Sequence, residues 1–154
     1  MARRIGGYVR IAIINGPNLN LLGTREPELY GSTTLAQIEQ RLTTLAKELN
    51  ADVTFSQFNG EGQIVDAIHA LKGKTDGILL NAGAYSHTSL AIRDALAGVA
   101  IPFVEVHLTN IYAREPERRK SALAEAATAV ICGFGPDTYD LALRGIVAKL
   151  GRNG

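Results

Sequence analysis

Two periods alternate along this chain, and that alternation limits its fold more than any other feature. Short runs rich in β-branched residues have the length of buried strands. Between them lie longer segments whose apolar residues recur every three or four positions. Residues 8–15 (YVRIAIIN) are the first run. Leu35, Ile38, Leu42, Leu45 and Leu49 form the helical stripe that follows, with Thr34 and Gln37 at capping-box spacing ahead of it. Residues 52–58 read as the second strand, and Ile64, Val65, Ile68 and Leu71 as a helix ended by Gly73. Residues 76–82 are the third strand, and residues 88–99 a helix buried through Ile92, Leu96 and Val99. Residues 102–108 and 128–134 are the fourth and fifth strands, and residues 136–150 close the chain as a helix. The order reads as βα repeated five times. Right-handed crossovers then require a parallel sheet with helices on both faces. Five strands favour the α/β flavodoxin-like three-layer sandwich, with strand order 2-1-3-4-5.

No repeat, low-complexity tract or linker divides the 154 residues, so residues 1–154 are expected to form a single domain, with residues 1–7 as a flexible arm. At 46% hydrophobic and 20% charged, the chain can fill a core and needs neither disorder nor a membrane span. A formal net charge of +1 leaves no positive excess to neutralise phosphates, so no nucleic acid is expected as a partner. The lone Cys132 excludes an internal disulfide framework and fits a reducing, cytoplasmic compartment. No apolar core follows the arginines of the opening MARRIGGYVR, so it does not read as a secretory signal.

The connection after the first strand is unusual. Ordinary αβ and βα loops run to about two to six residues. Here Asn15, Asn18, Asn20, Arg25 and Tyr30 are set among Gly16, Pro17, Gly23, Pro27 and Gly31. In a sheet of this order, ligands bind at the carboxyl ends of the strands, near the switch point between strands 1 and 3. That rule gathers three groups. Asn18, Arg25 and Tyr30 follow the first strand; Asn81 ends the third and His87 comes after it. Glu105 and His107 lie on the fourth, with Thr109, Asn110, Arg114 and Arg118 beyond.

Tyrosine titrates near pH ~10, but a neighbouring guanidinium favours the phenolate. Arg25 shares a loop with Tyr30, and Arg114 comes from the connection after the fourth strand. Tyr30 therefore has two readings, an aromatic anchor packed on the core or a base for a weakly acidic proton. Glu105 and His107 are two apart and point the same way, so the carboxylate can fix the tautomer of the ring. A strand histidine of this kind is either a bonded core residue or a tuned acid. His87, in GAYSHTS, is a neighbour of a helix start or a contact for a ligand hydroxyl. Arg114 and Arg118, one helical turn apart, are a solvated face or the grip on an anionic or polyhydroxylated ligand. His69 is given no role. GxGxxG, GxxxxGK[ST] and metal-ligand spacing are all missing. The residues by themselves point to cofactor-free proton transfer on a small polar anion.

At these residues the chain resembles the type II 3-dehydroquinate dehydratases. The matching stretches are NGPNLNLLGTREPELYG, NAGAYSHTSLAIRDAL and VEVHLTNIYARE, with LALRGI near the end. The resemblance implies a flavodoxin-like fold, a homododecamer built as a tetramer of trimers, and conversion of 3-dehydroquinate to 3-dehydroshikimate without metal or Schiff base. It further implies that Tyr30 removes the C2 proton with Arg25 favouring the phenolate, and that Asn18 holds a water against the enolate oxygen. His107, oriented by Glu105, would protonate the departing C1 hydroxyl. Asn81 and the backbone of Leu108 and Thr109 would hold the carboxylate, His87 and Arg118 the ring hydroxyls. Arg114 would support a lid formed by residues 25–30, and Asp94 would reach a neighbouring subunit's site. The chain departs from the family pattern at FNGEG (residues 58–62), at Glu117, and at Arg119 and Lys120.

Three other readings compete. A phosphoryl receiver needs paired acids after the first strand, where this chain has Asn15 and Asn18. A flavin module needs a hydroxyl-rich loop there, which Pro17, Leu19, Leu21 and Leu22 do not supply. A catalytically silent homologue differs from the enzyme only in turnover. A lysine-imine mechanism is disfavoured because no lysine falls at a strand end.

Overall fold

The computed structural model describes residues 7–24 and 27–153. The strands are β1 (Val9–Asn15), β2 (Ala51–Gln57), β3 (Gly77–Asn81), β4 (Phe103–His107) and β5 (Ala129–Cys132). The helices are α1 (Pro27–Tyr30), α2 (Leu35–Glu48), α3 (Glu61–Ala70), α4 (Leu90–Val99) and α5 (Asp137–Asn153). All strand pairs are parallel and the order is β2-β1-β3-β4-β5, as the alternation of periods requires. Residues 1–6 of the expected arm lie outside the described residues. Among the described residues no helix is long and apolar enough to cross a membrane.

The helices divide between the two faces of the sheet. Ile38, Leu42 and Leu45 of α2 and Ala142, Leu143 and Ile146 of α5 pack on Ile11, Ile13, Leu79, Val104 and Val106. On the other face Ile64 and Ile68 of α3 and Ile92 and Leu96 of α4 cover Ile14, Ile78, Leu80 and Phe103. Neighbouring strand residues thus serve opposite cores, as the pleat demands. The capping box before α2 is present, with Thr34 Oγ1 accepting the Gln37 N–H and the Gln37 side chain accepting the Thr34 N–H.

The expectation of five βα units fails once. Between β4 and β5 the chain makes 3-10 turns at Ile111–Ala113, Pro116–Arg118 and Ala124–Ala126, and no α-helix among the described residues. Pro116 and the charged run through Lys120 offer no apolar stripe to lay on the sheet, and the connection is anchored in the α3/α4 core by the fully buried Leu123, with Ala127 packed beside it. Residues 88–99 also begin differently. A 3-10 turn, Gly83–His87, precedes Ser89, whose Oγ accepts the Ile92 N–H at 3.0 Å and caps α4.

Candidate active site

The ends of β1 and β3 close against each other. Asn15 and Asn81 are register partners, and Gly16 donates its N–H to the Asn81 carbonyl at 2.7 Å. A Cβ on residue 16 would lie 2.5 Å from the Ala82 carbonyl oxygen, so only glycine permits this approach. Beneath it, Tyr139 of α5 is fully buried. Its hydroxyl donates to Asn15 Oδ1 and accepts from Asn81 Nδ2, the latter at 3.0 Å. Asn81 Oδ1 accepts the Gly83 N–H at 3.2 Å. Burial pushes the Tyr139 phenol well above its ordinary value, against the weaker opposing effect of the Asn81 hydrogen bond, so Tyr139 keeps its proton and works as a fixed donor.

On β4 the residues alternating with Val104 and Val106 are Phe103, Glu105 and His107. Glu105 is completely buried, and His107 is 5% exposed. His107 Nε2 lies 2.6 Å from Glu105 Oε2. The other carboxylate oxygen accepts from Ser121 Oγ. His87 stacks on His107, with ring centroids 5.8 Å apart and planes 18° from parallel. His87 Nδ1 donates to the Lys120 carbonyl at 2.8 Å. Burial lowers the His87 imidazole below its ordinary value. The Lys120 bond opposes this, while His107 and Arg118 add to it, so the ring is neutral at pH 7.

These side chains open on one cleft. Asn81, His87, His107, Leu108, Thr109, Arg114 and Arg118, all singled out in the sequence, line it together with Gly83 and Ile111. The two arginines arrive from 3-10 turns and not from a shared helix. Arg118 Nε donates to Glu115, which draws that carboxyl below its ordinary range, and Arg114 lies 3.7 Å from the same group. Asn110 accepts the Tyr112 N–H and caps the turn that carries Ile111. A wider groove of about 680 Å³ runs between α2 and α5, but its titratable residues Arg41, Glu48 and Asp140 are exposed or half-buried. The buried titratable groups converge instead on the smaller cleft, where an imidazole held by a buried carboxylate faces a space lined by two arginines, an arrangement suited to proton transfer.

Asn18 and Asp94, also expected at the site, are not among the residues that line the cleft. Asn18 is exposed, has a left-handed φ of 70°, and donates its N–H to Asn59 Oδ1 at 3.1 Å. Asp94 is exposed on α4, away from the cleft lining. Arg25 and the side chain of Tyr30 lie outside the described residues. Sequence reasoning missed Ser121 and Tyr139. Tyr139 hides within the apolar stripe of α5, and Ser121 sits 16 residues from the carboxylate it touches.

The model for Dehydroquinase class II matches residues 9–147. The chain belongs to that family. A 3-dehydroquinate dehydratase of Prochlorococcus marinus (strain NATL1A) is 58% identical over 92% of this chain and 98% of the relative. One of Synechococcus sp. (strain CC9605) is 57% identical over 94% and 99%. The crystal structure of the type II dehydroquinase from Butyrivibrio crossotus DSM 2876 superimposes with a TM-score of 0.88 at 39% identity, covering 92% of this chain and 98% of that one. The class II dehydroquinases are hydro-lyases, so this chain is an enzyme of that kind.

Proposed function

We propose that the chain converts 3-dehydroquinate to 3-dehydroshikimate and water in the shikimate pathway, by anti elimination through an enolate. Tyr30, as phenolate beside Arg25, takes the C2 proton. The electron pair passes into the C3 carbonyl, whose oxygen becomes the enolate oxygen, and a water held by Asn18 donates to it. Collapse of the enolate forms the C1–C2 double bond and expels the C1 hydroxyl, which takes a proton from His107 and leaves as water. Asn81 and the backbone of Leu108 and Thr109 hold the carboxylate; His87 and Arg118 bind ring hydroxyls. Arg114 supports the closed lid of residues 25–30. Every step uses side chains and water, with no cofactor.

The observation that carries this reading is the buried Glu105–His107 pair opening on the arginine-lined cleft. Incubation with 3-dehydroquinate tests it, since the conjugated product absorbs in the ultraviolet; no rise in absorbance would end the proposal. We also propose that residues 1–154 work as one cytoplasmic domain in a homododecamer, a tetramer of trimers. Asp94, exposed on α4, then completes a neighbour's site. Light scattering at assay concentration should find a dodecamer, and a fully active monomer would exclude the assembly. Asp94→Ala should raise KM or modestly reduce kcat.

A further inference from the structure

Ser121 lies outside the cleft lining, in the β4–β5 connection. Its hydroxyl has one hydrogen to give and two lone pairs to receive. The backbone N–H groups of Leu123 and Ala124 both donate to it at 3.0 Å, and fill both lone pairs. Its single hydrogen is left for Glu105 Oε1. That oxygen accepts, and therefore carries no proton. Donors aimed at a carboxyl group stabilise its ionised form, because charge-assisted hydrogen bonds are about twice as strong as neutral ones. The hydrogen shared across the 2.6 Å contact between Glu105 Oε2 and His107 Nε2 then belongs to the nitrogen.

We propose that Ser121 is a positioning residue for this reaction. It holds Glu105 as an acceptor on both oxygens and so fixes His107 as the Nε2–H tautomer, leaving Nδ1 as the nitrogen that exchanges protons with the ligand. The inference rests on His107 as the acid. With Nε2–H committed to Glu105, the acid is the imidazolium, whose Nδ1–H passes to the departing hydroxyl and leaves the neutral Nε2–H tautomer behind; Ser121, remote in sequence, selects that nitrogen. Replacing Ser121 by alanine would leave Glu105 Oε1 buried without its donor, and the shared proton would lose its bias toward the ring.

Solid-state ¹⁵N NMR of sedimented, [¹⁵N]histidine-labelled protein reads the tautomer directly. With three histidines in the chain, His69→Gln and His107→Gln assign the signals. At a pH where the rings are neutral, His107 should show a protonated Nε2 and a bare Nδ1. Ser121→Ala should mix the two tautomers and lower kcat about tenfold with little change in KM. Ser121→Thr keeps the hydroxyl and should restore both readouts. A wild-type His107 protonated on Nδ1 would overturn the proposal even if the alanine variant did not fold. An unchanged tautomer in a folded Ser121→Ala would also overturn it. A changed tautomer with unchanged kcat would uphold the role of Ser121 and remove His107 from the place of the acid.

Discussion

The two faces of the sheet put the same strand to different uses. Toward α2 and α5, β4 offers Val104 and Val106 to a core of leucine, isoleucine and alanine in which Tyr139 is the polar exception. Toward α3 and α4 it offers Phe103, then Glu105, then His107. That face is apolar where the strand begins and ionisable where it ends. Because the side-chain period is two, a five-residue strand can be rigid core on one side and carry the candidate site on the other. The core beneath then fixes the geometry of the pair above it.

The largest effects should separate the faces by activity. His107→Ala should cut kcat by ~10²–10⁴-fold while the fold survives. Exchange of the C2 proton with solvent should outlast dehydration in this variant, because enolate formation needs only the base. Tyr30→Phe should abolish both, since it removes the proposed base. Equal loss of exchange and dehydration in His107→Ala would show that the histidine shapes the whole site. The next effect belongs to the opposite face. Leu42 is fully buried on α2, and Leu42→Ala should cost about 2–5 kcal/mol in urea unfolding and leave kcat per folded molecule unchanged. A loss of kcat there would mean that the core face transmits strain to the site.

Tyr139 links the faces, and its prediction is smaller. The free phenol titrates near 10.0, and burial raises it in the folded state. Its contribution to stability is therefore complete below that pH and is lost as pH rises through it, by up to about 1.4 kcal/mol per pH unit. Tyr139→Phe should flatten this alkaline decline in Tm and cost about 1–3 kcal/mol at neutral pH, by leaving Asn15 and Asn81 without the hydroxyl. An alkaline slope that persists in the variant would assign the decline to another group. Smallest is Arg41, which bridges Asp137 at 2.6 Å and Asp140 at 2.7 Å on the outer surface of α2 and α5. These carboxylates raise its guanidinium further, but the side chain is 42% exposed. Arg41→Ala should change stability by no more than about 1 kcal/mol, and less in high salt. A larger loss would make that polar bridge a true part of the core face.

Local rules made much of this legible from the sequence. The strands and the stripes of α2 and α4 follow from hydrophobic period, and the cap of α2 from Thr34 and Gln37. The Glu105–His107 pairing follows from their spacing on one strand, and the convergence of Asn81, His87 and the arginines from the strand-end rule. What escaped depends on distant pairing. Ser121 means nothing until the β4–β5 connection folds over Glu105, and that connection has no helical period to announce its path. Tyr139 is an apolar position by pattern, and only the meeting of Asn15 and Asn81 gives its hydroxyl a function. The orientation of the Asn81 amide likewise follows from a partner 58 residues away.

The closure of β1 on β3 also bears on how the molecule ages. Asn-Gly is the dipeptide most prone to deamidate, because a glycine nitrogen can attack the preceding side-chain carbonyl, expel ammonia through a cyclic imide and leave an aspartate or isoaspartate. In Asn15–Gly16 the attacking nitrogen and the carbonyl it would attack are both held. The Gly16 nitrogen is bonded to the Asn81 carbonyl at 2.7 Å, the Gly16 carbonyl accepts from Gln57 Nε2 at 3.1 Å, and the Asn15 oxygen is held by Tyr139. Ring closure would have to break the first of these bonds and turn the amide away from the phenol. For as long as the sheet stays closed, no new carboxylate arises beside Asn81, and the floor under the two arginines and two histidines of the cleft keeps its neutral charge.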